Sequence, residues 1–282
     1  MRVLVTGAGG QLGRELVEAF SGSGHDVVGC DRSVLDVSDR EQVLQVVDHV
    51  RPHAVVHAGA WTDVDGCEGD PDRAFSVNAL GTRHVAEAAR SAGARVCYVS
   101  TDYVFDGTSA TPYTEWDRPN PLSVYGRSKL AGEQVLSPDD TVVRTSWLCG
   151  RHGRNFVRTV LGRAQEGAHL TVVDDQHGCP TFADDLAGMI CGLVTGRMPG
   201  TFHVTNQGPT TWYGFARDVV LAAGLDPGLV TPISTAELQP PRPAPRPAYA
   251  VLDNAALRLS GQPLLPDHHE PLERLVKELV AG

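Results

Sequence analysis

The chain has 282 residues, of which 41% are hydrophobic and 21% are charged, and its formal net charge at pH 7 is −10. That length and apolar content are enough for a large α/β core, while the acidic balance argues against nucleic acid or an anionic membrane as a partner. The N-terminus meets glycine too early for a signal peptide and no apolar run approaches a membrane span, so we expect a cytoplasmic protein with reduced cysteines.

The first twenty residues predict a strand, a tight turn and a helix. A short β-branched run, RVLVT, is followed by Gly7, Gly10 and Gly13 and then by apolar residues at helical spacing. Glycines at these positions let the backbone turn tightly and approach a pyrophosphate, which would lie at the helix N-terminus. The pattern predicts a dinucleotide site; a glycine turn that binds nothing is the alternative.

The second strand, HDVVGC, ends at Asp31. An acid at this point can accept hydrogen bonds from the 2′-hydroxyl of an adenosine ribose, which favours NADH. Arg32 follows at once and could hold a 2′-phosphate, which favours NADPH. The sequence leaves the choice of cofactor open.

A helix over 39–50 and a strand over 54–57 come next, and the small residues at 58–60 leave room for a cofactor at the carboxyl end of that strand. A long helix is predicted over 71–91; Asn78 inside it indicates a structural or proton-relay role, since asparagine disfavours a helix unless it bonds something. Between the strand over 54–57 and the long helix lie three acidic residues: Asp63, Asp65 and Glu68. Their spacing is not that of a calcium-binding loop, so we expect a solvated loop without a metal.

A strand over 95–99 runs directly into Ser100, Thr101 and Asp102. Side chains at the carboxyl end of a parallel strand point into the crevice where a cofactor binds. A hydroxyl in that place can orient and polarise a carbonyl oxygen.

The stretch YGRSK brings Tyr125 and Lys129 together. The chain contains only two lysines, and this one stands four residues after a tyrosine, on the same face of a helix that begins near Ser123. A neighbouring ammonium favours the phenolate, so we expect Lys129 to lower the pKa of Tyr125. Hydride delivery to a carbonyl carbon, with a proton from the tyrosine, is the chemistry that these groups predict; a solvated helix face is the alternative.

The second half is less informative. A strand over 141–145 is expected to close the sheet, and Trp147 after it is either a core residue or a stacking surface. A helix over 155–166, a strand over 170–173 and a helix over 182–195 follow. The proline-rich stretch 240–247 should be extended, with two arginines, Arg242 and Arg246, suited to a diphosphate or merely to a linker.

These elements predict an α/β fold: a Rossmann-type doubly wound parallel sheet with a smaller C-terminal substrate-binding lobe. Residues 1–150 would form the dinucleotide-binding domain, joined by the helix over 182–195. Most of 151–282 would form the lobe.

The glycine turn, the hydroxyl at the strand end and the YxxxK pair together resemble the extended short-chain dehydrogenase/reductases. Longer stretches, including VTGAGGQLG, HAGAWTDVDGCE, STDYVFDG, YGRSKLAGE and VVDDQHGCPTFADDLA, resemble the dTDP-4-dehydrorhamnose reductases within that family. The similarity runs from residue 3 to about residue 254. The DDQxGxPT-type stretch is the most specific part of it.

The resemblance implies a role for each matching residue. Thr101 would be the catalytic hydroxyl, Tyr125 the proton donor and Lys129 its partner, which would also hold the nicotinamide ribose. The remaining cofactor residues would be Gly7, Gly10, Gln11, Leu12, Gly13, Asp31, Arg32, Asp36, Val37, Gly59, Ala60, Trp61 and Thr62. The substrate residues would be Thr101, Asp102, Tyr103, Trp147 and Arg246. Where relatives often carry two arginines, this chain has Pro245 and Arg246, so Arg246 alone would serve the diphosphate, with Arg242 as a helper.

The resemblance implies NADPH- or NADH-dependent reduction of a dTDP-4-keto-6-deoxyhexose to dTDP-L-rhamnose. Two alternatives stay open: a 4-ketoreductase of an antibiotic deoxysugar pathway, and a non-catalytic regulatory subunit on the same scaffold. Some members of the family are metal-linked dimers; a homodimer is compatible with the sequence, but no metal-ligand spacing supports such a link.

Overall fold

The structure, a computed structural model, describes residues 1–281. Its strands, in chain order, are β1 (Arg2–Thr6), β2 (Asp26–Cys30), β3 (Ala54–His57), β4 (Arg95–Thr101), β5 (Thr141–Thr145), β6 (Leu148–Cys149), β7 (Leu170–Val173), β8 (His177–Gly178), β9 (Thr181–Phe182), β10 (Gly200–His203), β11 (Thr210–Thr211) and β12 (Val230–Ile233). Its α-helices are α1 (Gln11–Gly22), α2 (Arg40–Val50), α3 (Val64–Gly69), α4 (Pro71–Phe75), α5 (Gly81–Ser91), α6 (Val124–Glu133), α7 (Phe156–Gln165), α8 (Ala183–Thr195), α9 (Trp212–Ala222), α10 (Ala255–Leu259) and α11 (His269–Ala281).

The main sheet is parallel throughout, with strand order β10-β5-β4-β3-β1-β2. Side chains of a strand alternate between its two faces. Val3 and Val5 accordingly pack with α1 and α8 on one face, while Leu4 packs with α2 and α5 on the other. The sheet is therefore covered on both sides, which confirms the Rossmann-type fold class.

The strand order reverses between β1 and β3. Successive strands run outward from that point in opposite directions, so their connecting helices cross to opposite faces and leave a crevice at the carboxyl ends of the two strands. Gly7 follows β1 at this crevice, and Ala58 follows β3.

The predicted bounds of the strands over 54–57, 141–145 and 170–173 are correct, and two other points need correction. β4 runs on to Thr101, so the predicted catalytic hydroxyl is the last strand residue. β5 does not close the sheet, because β10 pairs with its outer edge. Pairing between strands so far apart in sequence is set by packing and leaves no local signal.

The residues after β3 were wrongly predicted as a solvated loop. They form α3, which Asp63 caps by accepting a hydrogen bond from the Gly66 amide. Asp65 pairs with Arg246, and Glu68 accepts from the Val124 amide at the start of α6. All three carboxylates thus have structural partners.

The long helix predicted over 71–91 is continuous but contains a π-helical turn, Ser76–Leu80, between α4 and α5. A π-turn adds one residue to the helical repeat and is often found at functional sites. Asn78 lies in that turn and is buried.

A second hydrophobic cluster joins α7, α9 and α11 beside the parallel pair β7–β12. α8 lies elsewhere, against α1 on the main sheet. The division into two functional lobes stays a prediction. All six cysteines are buried, and no helix between residues 1 and 281 combines the length and the apolarity needed to cross a bilayer.

Candidate active site

A cavity of about 910 Å³ opens at the carboxyl ends of β1, β3, β4 and β5. Every residue predicted to bind cofactor or substrate lines it, except Arg246 and its expected helper, Arg242. Four segments distant in sequence therefore meet at one surface, as the parallel topology requires.

The glycine turn forms one wall of the cavity. Gly7 has a φ of 71°, and a Cβ there would lie 2.7 Å from the amide nitrogen of Gly59, so only glycine fits between the two strand ends. Gly10 precedes α1 and has no side chain to cap it. The first amides of a helix lack intrahelical acceptors, so those of Gln11, Leu12 and Gly13 are available to an anionic group at this wall.

Asp31 and Arg32 lie at the far end of the cavity with Asp36 and Val37. Asp31 accepts hydrogen bonds from the Ser33 hydroxyl at 2.6 Å and its amide at 2.9 Å, and these bonds lower the pKa of the carboxyl. The Arg32 guanidinium is 3.6 Å from Asp36, and its side chain is 71% exposed. A fixed carboxylate, Asp31, and an exposed guanidinium that pairs loosely with Asp36 thus stand side by side.

Asn78 fixes the segment that follows β3. Its side chain accepts from the Trp61 amide at 2.8 Å and donates to the Trp61 carbonyl at 3.1 Å. It also donates to the Ser128 hydroxyl at 2.9 Å, on α6 between Tyr125 and Lys129. One amide therefore ties the 59–62 segment to the helix that carries the predicted catalytic pair, which makes the role of Asn78 structural.

Thr101, Tyr125 and Lys129 line the same part of the cavity and are each less than 9% exposed. Ser123 caps α6 by accepting from the Gly126 amide, which sets the start of the helix at Val124, one residue before the tyrosine. Burial raises the pKa of Tyr125 well above its usual value, and the Thr101 hydroxyl partly opposes this by hydrogen bonding. The phenol is therefore protonated at neutral pH.

The expectation that Lys129 lowers the pKa of Tyr125 is wrong for this arrangement. The Lys129 ammonium donates to the Val99 carbonyl at 2.7 Å and lies 4.0 Å from the centre of the Tyr98 ring. Burial lowers the pKa of Lys129 to about 7, partly opposed by Glu133. A buried amine that is only partly protonated is a weak source of positive charge, so the effect of burial on the tyrosine dominates.

Asp102 supplies a second acid beside the threonine. One carboxylate oxygen accepts from the Thr101 hydroxyl at 3.0 Å, and the other is buried without a hydrogen-bond partner among residues 1–281. Burial raises the pKa of Asp102 to about 7. The hydroxyl of Thr145, also in the cavity wall, is likewise buried and unpaired within the described chain. A polar ligand in the cavity could satisfy both groups.

Trp147 presents its indole to the cavity from a left-handed backbone, with a φ of 44°. The ring stacks on Trp212 at a centroid distance of 3.7 Å and lies against Gly178, where a Cβ would come within 2.5 Å of it. A strained backbone held by two packing contacts is typical of a functional position.

Arg246 lies outside the cavity wall. Its guanidinium pairs with Asp65 on α3, and its side chain is 8% exposed. The sequence indicated a cation on an extended segment but not the carboxylate that meets it.

The lining residues that the sequence did not indicate include Arg73, whose guanidinium lies 4.2 Å over the Trp61 ring, Arg154 in the loop before α7, and Trp212. Thr211 caps α9 and so places Trp212 at its first turn. Trp212 stacks on Trp147, which is 65 positions away in the sequence, so no local pattern indicates the contact.

Fold and site together define a Rossmann-type nucleotide-binding protein of the extended short-chain dehydrogenase/reductase class. The family model described as "RmlD substrate binding domain" matches residues 1–281. A dTDP-4-keto-6-deoxy-D-glucose reductase of Streptomyces niveus is 44% identical over 272 residues, covering 95% of this chain and 93% of its own. A dTDP-4-dehydrorhamnose reductase of Streptomyces griseus is 42% identical over 269 residues, covering 92% and 88%.

Among solved structures, the dTDP-4-dehydrorhamnose reductase of Bacillus anthracis in complex with NADP matches with a TM-score of 0.92 and 41% identity, over 98% of this chain and 99% of that one. The chain belongs to the RmlD substrate binding domain family, and its similarity to the dTDP-4-dehydrorhamnose reductases is confirmed.

Proposed function

We propose that the chain is an NADPH- or NADH-dependent reductase of the 4-keto group of dTDP-4-dehydro-6-deoxy-L-mannose, with dTDP-L-rhamnose as product. The observation that carries the proposal is the meeting of Thr101, Tyr125 and Lys129 in the cavity that the glycine turn borders. The named activities of the S. griseus and B. anthracis relatives support the substrate class.

The cavity suits a dinucleotide. The glycine turn leaves space that a Cβ would fill, and the free amides of α1 face it. The pyrophosphate would be held by Gln11, Leu12 and Gly13. The adenosine end of the cofactor would contact Asp31 or Arg32, and the remainder of the cofactor would lie along the 59–62 segment. A reduced nicotinamide supplies a hydride to a carbonyl carbon when it is bound.

The residues of the chain itself supply the proton for the reduction. Tyr125 carries it, because burial keeps the phenol neutral at working pH. As negative charge develops on the carbonyl oxygen, Tyr125 donates its proton and Thr101 donates a hydrogen bond that orients the same oxygen. Lys129, which lines the same part of the cavity, would hold the nicotinamide ribose.

Asp102, Tyr103 and Trp147 would bind the nucleotide sugar. The unpaired oxygen of Asp102 suits a sugar hydroxyl, and the Trp147 indole offers a flat stacking surface. Most of residues 151–282 would act as the substrate lobe. Buried thiols and the use of a nucleotide sugar with a reduced nicotinamide favour a cytoplasmic location.

The 44% identical relative from S. niveus is named for a different 4-keto sugar, which favours a second candidate: a 4-ketoreductase of another deoxysugar. The proton donor would be the same. The orientation of the sugar ring over Trp147 would decide which face of the carbonyl receives the hydride.

The test is oxidation of NADPH and of NADH by the purified chain, with dTDP-4-dehydro-6-deoxy-L-mannose generated in situ and the product identified by NMR. Formation of dTDP-L-rhamnose supports the proposal. An epimeric product, or turnover of the D-glucose-configured ketone alone, favours the second candidate function, a 4-ketoreductase of another deoxysugar. Cofactor binding with no turnover of either ketone overturns both and favours a regulatory subunit.

A further inference from the structure

Two adjacent histidines and an aspartate meet away from the cavity. Asp218 lies on α9, His268 immediately precedes α11, and His269 is its first residue. One ligand atom from each lies within 4.8 Å of the other two. His268 is buried, while His269 is 60% exposed at its side chain and Asp218 24% exposed.

Hydrogen bonds fix which nitrogen of each imidazole faces the aspartate. His268 Nδ1 is 3.3 Å from the Gln207 carbonyl oxygen, and His269 Nδ1 is 2.6 Å from an Asp267 carboxylate oxygen. Both partners only accept, so both Nδ1 atoms carry hydrogen. Each Nε2 lies on the side of Asp218 Oδ2, where it can share a proton with the carboxylate or bind a metal ion.

Two imidazole nitrogens that face one carboxylate oxygen are held best with a positive charge between them, either a proton or a metal ion. The Nε2–Oδ2 distances are 3.4 Å for His268 and 3.7 Å for His269. A shared proton would draw these atoms to about 2.7–2.9 Å. Two ligands on a tetrahedral zinc ion, each about 2.0–2.1 Å from the metal, are instead roughly 3.3 Å apart.

We propose that His268 Nε2, His269 Nε2 and the Asp218 carboxylate form a Zn²⁺ site, with water in the fourth position. The Gln207 carbonyl and the Asp267 carboxylate orient the two imidazoles from behind, the usual arrangement around metal-bound histidine. The ion joins α9 to the start of α11. Since none of the three ligands lines the cavity, its effect falls on stability and leaves turnover unchanged.

The test uses the tag-free chain after chelator treatment, titrated with ZnCl₂ by calorimetry, with thermal unfolding measured in parallel. We expect one Zn²⁺ per chain and a higher unfolding temperature with zinc, because the ion binds the folded state. Asp218→Asn and His269→Gln should each weaken binding about tenfold or more and remove the thermal shift. Both positions are at least partly exposed, so these variants should fold.

His49→Gln is the matched control, since His49 is an exposed helical histidine elsewhere. It should bind zinc as the parent does. Absence of saturable binding overturns the proposal. So does binding that survives both ligand substitutions, or that His49→Gln weakens equally, because the ion would then lie elsewhere.

Discussion

Asp65 holds Arg246 in a two-pronged ion pair, with Nη1–Oδ1 and Nη2–Oδ2 distances of 2.5 and 2.8 Å. Arg246 also donates to the Ala244 carbonyl, and Asp65 accepts from the Ala244 amide. The pair therefore fastens the proline-rich segment to α3, beside the segment that runs along the cavity. The guanidinium predicted to meet a diphosphate is already matched by a carboxylate.

Asp65→Asn should lower the free energy of unfolding by about 1–3 kcal/mol. The substitution leaves a mostly buried guanidinium without its counter-charge, and water at the partly exposed position 65 limits the loss. Urea denaturation measures it. Asp48→Asn removes an ion pair whose two side chains are both at least 70% exposed, and should change little. Unchanged stability in Asp65→Asn, with a raised KM for nucleotide sugar in Arg246→Ala, would return Arg246 to substrate binding.

Tyr125→Phe should reduce kcat by roughly two to four orders of magnitude, because the phenol is the group proposed to give the carbonyl oxygen its proton. The Kd for NADPH should stay close to that of the parent. Tyr213→Phe, on α9 and outside the cavity wall, is the control. Near-normal turnover in Tyr125→Phe would remove the tyrosine from the proton-donor role.

Gly178→Ala should raise the KM for nucleotide sugar by up to about tenfold, the worth of an aromatic stacking contact. The new methyl would come within 2.5 Å of the Trp147 indole and push it off Trp212. Gly188→Ala, where a Cβ meets nothing within 4 Å among the described residues, should have no such effect. If both variants keep the parent KM, the indole does not contact the substrate.

Two substitutions should show which cofactor the chain prefers: Asp31→Asn and Arg32→Gln. Loss of the carboxylate should raise the KM for NADH, because a hydrogen bond to the ribose weakens; loss of the guanidinium should raise the KM for NADPH by about tenfold or more, because a charge-assisted bond to phosphate is lost. Initial rates with each cofactor measure this. Equal effects of Arg32→Gln on both cofactors would mean that Arg32 does not hold a 2′-phosphate.

His203→Gln should make the fold less sensitive to acid. Burial lowers the pKa of His203 to about 3, with Arg144 contributing, so between pH 3 and 6.5 the unfolded chain binds the additional proton. Stability therefore falls as pH drops through that window, by up to about 1.4 kcal/mol per pH unit for this group. Denaturation at pH 6.5 and 5 should show a smaller drop in the variant. His49→Gln should keep the parent slope; a variant slope equal to the parent's would contradict a neutral, buried His203.

The sequence by itself determined the local chemistry. Glycine spacing after a β-branched run specified the turn at Gly7, because the backbone there has a φ of 71°, which favours glycine. Ser123 and the tyrosine–lysine spacing specified the face of α6, because a helix repeats every 3.6 residues. Each of these signals lies within a few residues of its consequence.

The tertiary structure decided what depends on distant partners. It placed β10 outside β5, stacked Trp212 on Trp147, matched Arg246 with Asp65 and buried Lys129 so deeply that its charge no longer controls Tyr125. Each outcome depends on which surfaces meet and how much water they exclude. A pKa or an ion pair is set by that surrounding dielectric and geometry, which the order of residues along the chain does not contain.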